Sequence, residues 1–246
     1  MKRLLLFAFA LLSFNAYSQD STLVDNVKKE SLFKIDYDAI FASQNVWRGL
    51  RYGDGLMVAA DVWLESEYWS LGLMGTTSLL SVNDPYVNWM EVYTTVNIEG
   101  FYLTLDDYFF FDPANPDYFN WDHRTTQHFL ETRLGYQYLD YFKVMVGFVV
   151  YSNAADKTHD GIYLEATGQP WPFMSFTLAG LTAASNLSFY NDGGITTVAV
   201  NGHKDIKIGK KLIIPLTASF IVNPSWRKGM TDVARSPIYF TISFTL

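Results

Sequence analysis

Four histidines are the residues of this sequence best suited to acid–base chemistry: His123, His128, His159 and His203. An enzyme that modifies lipid would need a histidine hydrogen-bonded to a nucleophilic serine and oriented by a third group. None of the four stands in a compact His-x-Ser arrangement with a neighbouring asparagine. The sequence therefore predicts surface or interface histidines, with no catalytic residues and no cofactor.

A divalent cation is the next candidate ligand. His159 and Asp160, with Asp156 nearby, offer nitrogen and oxygen ligands. Their spacing follows no defined metal-binding motif, and the chain has no cysteine, so thiol ligands and disulfide bonds are excluded. A solvated loop explains these residues, and the sequence predicts no metal site.

These side chains need elements to position them, and the main secondary-structure signal of the chain is a period of two. In SPIYFTISFTL, the last eleven residues, apolar side chains occupy every second position from Ile238 to Leu246. Runs of this kind predict twelve strands, at about residues 33–43, 56–67, 69–77, 88–99, 101–111, 127–137, 142–152, 161–168, 173–184, 194–208, 211–223 and 236–246.

The links between the predicted strands are alternately short and long. The short links lie around Tyr68, Gly100, and residues 139–141, 169–172 and 209–210. The long polar links are QNVWRGLRYGDG, SLLSVNDPYV, DPANPDYFNWDHRTT, NAADKTHD, SNLSFYNDG and PSWRKGMTDVAR. Transmembrane barrels have short periplasmic turns and longer extracellular loops, whereas a soluble sandwich has no reason to place every long loop at one end.

The predicted fold is therefore all-β: a closed up-and-down antiparallel transmembrane β-barrel of about 12 strands, formed by residues 32–246. In hydrocarbon every backbone donor and acceptor must be paired, so the last strand must close against the first. A secreted soluble β-sandwich is the alternative fold. Pro215 favours it slightly, because proline cannot donate to a strand ladder unless a bulge absorbs it.

A resemblance to a known family adds to this prediction. In SQNVWRGLRYGDGLMVAADVWLESEYWSLGLMGTT, a strand ends at Trp47-Arg48-Gly49, and a polar loop leads to two strands joined through Glu67-Tyr68-Trp69. This stretch resembles the bacterial outer-membrane family of Gcw-type conserved hypothetical proteins, also described as TorF-type porins. The likeness is clearest over about residues 33–77 and is architectural elsewhere. It implies a small barrel with a largely unassigned transported substrate and no catalytic residues.

The N-terminus has the features of an export signal. Lys2 and Arg3 precede the apolar run LLLFAFALL, and Ala16-Tyr17-Ser18 ends in small residues before Gln19. We therefore expect a signal peptide at residues 1–18, a periplasmic segment at 19–31 and localisation in the cell outer membrane. The apolar run is shorter than the roughly 20 residues of a spanning helix. The C-terminal strand resembles the signal that the barrel-assembly machinery recognises, although leucine stands where phenylalanine is commoner.

Charge and composition limit the partners. Removal of Lys2 and Arg3 changes the net charge from −7 to −9, since 16 basic residues then face 25 acidic ones. A nucleic-acid partner is therefore disfavoured, because phosphates require a basic surface. Aromatic residues make up 17% of the chain, which suits a surface that meets outer-membrane lipid. Trp69, Trp89 and Trp171 are predicted to lie in an aromatic girdle.

The faces opposite the apolar sets predict the lumen. The predicted lumen-lining residues, ten acidic and four basic, are Lys34, Asp36, Asp38, Asp61, Glu65, Glu91, Glu99, Asp106, Glu131, Arg133, Lys143, Glu165, Asp205 and Lys207. Glu131, Arg133 and Lys143 are expected to form a structural network that fills a narrow interior. The remaining acids would favour cations in a water path. Structural filling and pore selectivity both stay open for any one residue.

The longest link contains DYFNWDH and holds candidates for ligand binding: Tyr118, Phe119 and Trp121. If this loop folds into the barrel mouth, its rings can stack on a sugar-like solute. A simply packed extracellular loop is the alternative.

Two functions of different class follow from this reading. The first is a narrow, porin-like passive channel for small hydrophilic solutes, preferentially cationic or neutral. The second is a barrel with a plugged, non-conducting lumen whose extracellular loops bind a surface ligand or scaffold the envelope. A lipid-modifying barrel enzyme ranks behind both. The lumen discriminates between the first two, because barrels of about 8 strands are filled by side chains and those of about 16 hold water channels.

Overall fold

The computed structural model describes residues 32–53, 55–79, 88–112, 116–153, 161–209, 212–229 and 236–246. Residues 35–246 belong to one compact unit. The predicted signal peptide and the segment at residues 19–31 lie outside the described residues, as do His159, Asp160 and Asp156.

The described chain is built from strands. They are β1 (Lys34–Ala42), β2 (Asn45–Trp47), β3 (Leu50–Tyr52), β4 (Met57–Glu65), β5 (Trp69–Ser78), β6 (Trp89–Ile98), β7 (Phe101–Phe110), β8 (His128–Tyr138), β9 (Phe142–Tyr151), β10 (Tyr163–Trp171), β11 (Met174–Leu181), β12 (Gly194–Ile208), β13 (Leu212–Val222) and β14 (Ile238–Thr245). A 3₁₀ turn covers Trp226–Lys228. In the part of the chain that the structure describes, no helix has the length and apolar character needed to cross a membrane.

Twelve of these strands, β1 and β4 to β14, form one closed antiparallel barrel in which neighbours in sequence are neighbours in space. The predicted closed up-and-down barrel of twelve strands is confirmed. Closure occurs between β1 and β14, where the backbones of Ala39 and Leu246 exchange two hydrogen bonds, of 3.0 and 2.9 Å. The last strand is therefore paired on both sides. Its outer face is exposed at Phe240 and its inner face is buried at Tyr239, and these two different faces explain its regular alternation.

Tight turns join β4 to β5, β6 to β7, β8 to β9, β10 to β11 and β12 to β13, all at one end of the barrel, which we call the short-turn end. The opposite end, where the longer links lie, is the long-link end. Pro215 does not lie in a bulge, because β12 and β13 stay in register from Val198–Val222 to Ile208–Leu212. Pairing of β13 with β14 begins at Leu216, so Pro215 occupies an edge position that needs no second partner.

The first long link does not form the expected polar loop. Its strands β2 and β3 pair with each other as a hairpin, residues 45–52, which we call the plug hairpin. Arg48 and Gly49 form its turn with φ of 50° and 82°, the left-handed conformation that tight hairpins require. A Cβ added at Gly49 would lie 2.0 Å from the carbonyl oxygen of Thr196, so only glycine fits at this tip.

The plug hairpin lies inside the barrel. Trp47 contacts the rings of Trp89 and Tyr108 on the inner face, with ring centroids 6.3 and 5.5 Å apart. Leu50 is buried in the same cluster, and Val46 packs against a second cluster on β12, β13 and β14. The hairpin therefore contacts wall residues on both sides of the lumen. Trp89 belongs to this core, so its predicted place in an outer aromatic girdle is wrong.

A second segment adds to the core at the long-link end. Leu187, Phe189 and Tyr190, which follow β11, are buried in the same cluster as the plug hairpin. Phe189 contacts Tyr52 of the hairpin and Phe110 of the wall, with ring centroids 5.5 and 5.7 Å apart. The described residues thus fill this half of the lumen with aromatic and aliphatic side chains.

Candidate functional site in the barrel lumen

The tip of the plug hairpin is fixed by a buried ion pair. Arg48 Nη2 lies 2.7 and 2.6 Å from the two carboxylate oxygens of Glu131 on β8, and its Nη1 donates to Ser188 Oγ at 2.7 Å. Arg48 is 8% exposed and Glu131 is 1% exposed. Burial alone would lower the pKa of the Arg48 guanidinium, but the charge of Glu131 raises it. We call this ion pair the latch.

Rings and backbone contacts complete the latch. The guanidinium carbon of Arg48 lies 4.5 Å from the ring centroid of Trp47 and 4.2 Å from that of Tyr163, so aromatic faces cover both sides of the cation. Tyr190 donates through its hydroxyl to the carbonyl of Arg48 at 2.9 Å, and Asn223 donates to the carbonyl of Gly49 at 2.6 Å. The turn of the hairpin therefore has polar partners for both of its carbonyl groups.

Below the plug hairpin lies a cavity of about 540 Å³, which we call the vestibule. It begins at Asn45 and Trp47 of the hairpin and reaches Asn97, Gln137 and Lys143, which are exposed at the short-turn end. Its other lining residues include Asp61, Met74, Thr76, Trp89, Glu91, Tyr93, Thr95, Tyr102, Thr104, Tyr108 and Arg133. The vestibule thus opens at the short-turn end and ends at the plug hairpin.

Arg133 contacts two of the predicted lumen acids. Its Nε donates to Asp106 Oδ2 at 2.6 Å, its Nη2 contacts Asp106 Oδ1, and its Nη2 lies 3.4 Å from Glu91. The expected network of Glu131, Arg133 and Lys143 is therefore wrong in its partners, because Glu131 pairs with Arg48. The sequence does not reveal this pair, because its pattern predicts Arg48 in an extracellular loop.

Asp38 and Asp61 differ from these acids. Asp61 accepts the hydroxyl of Tyr93 at 3.1 and 3.0 Å through its two oxygens. Asp38 faces the lumen from β1, close enough for its charge to act on Asp61, and its Oδ1 is enclosed without a hydrogen-bond partner. Within the described residues neither carboxylate forms an ion pair.

The other predicted lumen residues lie nearer the short-turn end or outside the lumen. Asp36, Glu65 and Glu165 lie on the inner faces of β1, β4 and β10. Glu99 occupies the tight turn after β6 with a φ of 52° and is exposed. Asp205 and Lys207 are exposed on the part of β12 beyond Gly202, its last residue paired with β11, so they do not line the enclosed lumen.

The loop with Tyr118, Phe119 and Trp121 does not fold into the barrel mouth. Residues 116–126, which we call the strap, cover His128, whose side chain lies on the outer face of β8. Trp121 stacks on the His128 ring at 3.8 Å between centroids, whereas Phe119 is 82% exposed. The stacking partner of Trp121 is thus an imidazole of the barrel wall.

His128 is fully buried beneath the strap. Its Nδ1 lies 2.7 Å from Asp107 Oδ1 and its Nε2 lies 2.6 Å from the carbonyl oxygen of Tyr118. Tyr118 donates its hydroxyl to the other oxygen of Asp107 at 3.0 Å. Both ring nitrogens of His128 therefore lie within hydrogen-bond distance of an oxygen, one of a carboxylate and one of a backbone carbonyl.

A serine–histidine contact is also present that the sequence did not predict. Ser175 Oγ lies 2.9 Å from His203 Nε2, and Asn201 donates to Ser175 Oγ at 3.1 Å. The other ring nitrogen of His203, Nδ1, lies 3.2 Å from Thr217 Oγ1. Ser175 is 4% exposed, so its hydroxyl has no room for an acyl substrate. The contact depends on the register of β11, β12 and β13, which the sequence pattern does not supply.

Within the described ranges, no group of three or more His, Asp or Glu side chains is arranged to hold a metal ion. No family model, no curated protein and no solved structure matches this chain. The class of protein is therefore defined by its geometry: a closed twelve-stranded up-and-down β-barrel with an inward hairpin and a polar vestibule beneath it.

Proposed function

We propose that this protein is an outer-membrane β-barrel that acts as a gated passive channel for small hydrophilic solutes, cationic or neutral, with the plug hairpin as its gate. In this proposal the short-turn end faces the periplasm and the long-link end faces the cell exterior. The resting barrel is closed, and movement of the hairpin joins the vestibule to the outside. This proposal keeps the channel predicted from the sequence and adds the gate.

The outer surface supports the membrane location. On β7 the outward side chains Leu103 and Leu105 are exposed, whereas the inward Thr104 and Asp106 are buried. At the short-turn end Trp171 and Phe173 are exposed and stacked 6.1 Å apart. An apolar band with aromatic residues at its border is the surface that lipid requires. The predicted signal peptide and the resemblance to the Gcw-type family point in the same direction.

The position of the plug hairpin is the observation that carries the channel proposal. A polar cavity of about 540 Å³ extends from the short-turn end and stops where the hairpin begins. The hairpin is a separate two-stranded sheet that shares no ladder with the barrel. Its displacement would therefore leave the hydrogen bonds of the barrel wall intact.

A non-conducting barrel that scaffolds the envelope is the second candidate. The aromatic core of Trp47, Tyr52, Trp89 and Phe189 at the long-link end favours it, because a permanent plug needs dense packing. In that case the vestibule has no continuation toward the outside.

The two candidates predict different conductance after removal of the hairpin. We would replace residues 45–52 with a flexible glycine–serine linker and record single channels in planar bilayers. The gated channel predicts rare openings of the natural protein and steady conductance of the variant. The matched control replaces residues 117–124 of the strap, on the outer wall, with the same linker and should stay closed. If the folded hairpin variant carries no current, the scaffold function replaces the channel.

A further inference from the structure

Asp38 and Asp61 place uncompensated negative charge in the lumen. They lie on β1 and β4, and their charges interact, yet within the described chain neither carboxylate has a cationic partner. Both side chains are half-buried, and charge that is partly removed from water is costly unless it is paired. The basic residues of the vestibule do not supply the partner, because Arg133 contacts Asp106 and Glu91, and Lys143 lies over the ring of Tyr102 near the exposed end.

Asn45 gives a second and independent indication of a ligand. It lines the vestibule from the plug hairpin, is 7% exposed, and its Nδ2 has no hydrogen-bond partner. A buried amide donor without a partner is unfavourable, because it has lost its hydrogen bonds to water. A bound molecule with an oxygen acceptor would satisfy it.

The surroundings favour an organic cation over a metal ion. In the part of the chain that the structure describes, three carboxylate or imidazole ligands do not converge at any point, whereas hard cations take six or more oxygen ligands. The rings of Trp47, Trp89 and Tyr93 line the same cavity as Asp61. Aromatic faces beside a carboxylate are the combination that recognises ammonium groups.

We propose that the vestibule binds a small organic ammonium ion that also carries an oxygen acceptor, an amino alcohol, with its ammonium group against Asp61, where the charge of Asp38 adds to the attraction, and its oxygen against Nδ2 of Asn45. This inference rests on the proposed function only in that the solute enters from the open short-turn end. Binding does not require the plug hairpin to move, so it can be measured on the closed barrel.

The test uses the mature protein folded in a maltoside detergent, which carries no ammonium group, and isothermal titration calorimetry. Choline is the probe. Its neutral carbon analogue, in which a tert-butyl group replaces the trimethylammonium group, has the same shape without the charge. Tetramethylammonium has the charge without the hydroxyl group. We expect choline to bind about tenfold or more tightly than either analogue.

Variants locate the site. Asp61→Asn should weaken choline binding about tenfold, because it removes the charge and keeps the shape. Asp205→Asn, on the exposed end of β12, is the matched control and should bind choline like the natural protein. Asn45→Ala should weaken the binding of choline and leave that of tetramethylammonium unchanged.

A free amino alcohol and a lipid headgroup share this chemistry, and glycerophosphocholine separates them. Weaker binding of glycerophosphocholine than of choline indicates a free solute, and tighter binding indicates a headgroup. Equal binding of choline and its neutral analogue, or equal affinity of the Asp61→Asn variant, overturns the proposal. So does the absence of choline binding, which would mean that the two carboxylates share a proton instead. Conductance of the hairpin variant is a separate measurement, so the site and the gate can fail independently.

Discussion

A single arginine determines how the lumen of this barrel is closed. Arg48 lies at the turn of the plug hairpin in a left-handed conformation, and its side chain meets Glu131 on the wall. A buried ion pair is weak evidence for stability, because apolar side chains of similar volume often do as well. Its position at a hairpin tip is better explained by conformational specificity. The pair holds the hairpin in one place and can be broken without disrupting the hydrogen bonds of the barrel wall.

Removal of one latch partner should be strongly destabilising. We expect Glu131→Gln to lower the free energy of unfolding by about 3–5 kcal/mol, because Arg48 is left buried without its counter-charge. The measurement is urea unfolding in lipid vesicles, followed by tryptophan fluorescence. The control Asp192→Asn breaks an exposed pair with Lys228 at 2.9 Å and should have no measurable effect.

The double variant Arg48→Met with Glu131→Leu completes the experiment. It removes both charges and should recover most of the stability lost in Glu131→Gln. Equal unfolding free energies of Glu131→Gln and the surface control would contradict the latch.

At the residue scale, the sequence placed side chains correctly where strand alternation decides the face. Asp61, Glu91 and Asp106 fall on the inner face as their parity predicts. The sequence does not reveal which side chains form ion pairs. Arg48 and Glu131 are 83 positions apart, and Arg48 lies in a link that has no regular strand register with the barrel. The same limit hid the contact of Ser175 with His203, which neighbouring strands create.

At the scale of elements, the long links are more structured than their polarity suggested. QNVWRGLRYGDG contains a short apolar alternation around Arg48-Gly49, which is the pattern of a hairpin, but its glycines and charges resemble those of a solvated loop. Sequence pattern cannot decide whether such a hairpin points away from the barrel or into it. The inward position depends on two contacts with the barrel wall: Gly49 has no Cβ to clash with the backbone of Thr196, and Glu131 supplies the counter-charge for Arg48.

The strap makes a prediction at this scale. His128→Asn should loosen it, because the imidazole ring bridges Asp107 and the carbonyl of Tyr118. Arg124 is exposed in the strap, so tryptic cleavage after Arg124 should be faster in the variant at neutral pH. His203→Asn, which changes a histidine inside the barrel, is the control and should cleave at the rate of the natural protein.

The two faces of a wall strand make a further prediction. Leu103→Arg on the outer face of β7 should make folding into lipid less favourable by about 2–4 kcal/mol, because the charge must enter hydrocarbon. Thr95→Arg, on the inner face of neighbouring β6, lines the vestibule and should be affected much less. A folding titration into vesicles compares them, and equal losses would show that the faces are misassigned.

At the scale of the whole molecule, strand number and topology were predictable because closure leaves few choices. In a membrane, an even number of strands joined by alternately short and long links is satisfied by a closed up-and-down barrel whose first and last strands pair. The filling of that barrel was not predictable. A twelve-stranded barrel is wide enough for water and narrow enough to be closed by one hairpin, so the outcome depends on a link whose sequence fits either state.

The charge of the lumen gives the last prediction, which concerns the barrel after removal of residues 45–52. Arg48 is then absent, so Glu131 joins Asp38 and Asp61 as uncompensated charge, while Asp106 and Glu91 keep their ion pairs with Arg133. Low-dielectric walls strengthen the attraction of cations to such a path. Reversal potentials under a potassium chloride gradient should therefore have the sign of a cation-selective channel, with weaker selectivity at higher salt because of screening.

Selectivity should depend on the half-buried acids inside the lumen more than on the exposed acids at the rim. Asp38→Asn with Asp61→Asn should shift the reversal potential toward zero. The matched control, Glu99→Gln with Asp205→Asn, removes the same number of charges from exposed positions at the short-turn end and should shift it less, because water screens charges there. Anion selectivity of the open barrel would contradict the assignment of these acids to the conducting path. Equal shifts in the two double variants would place the selective region at the mouth.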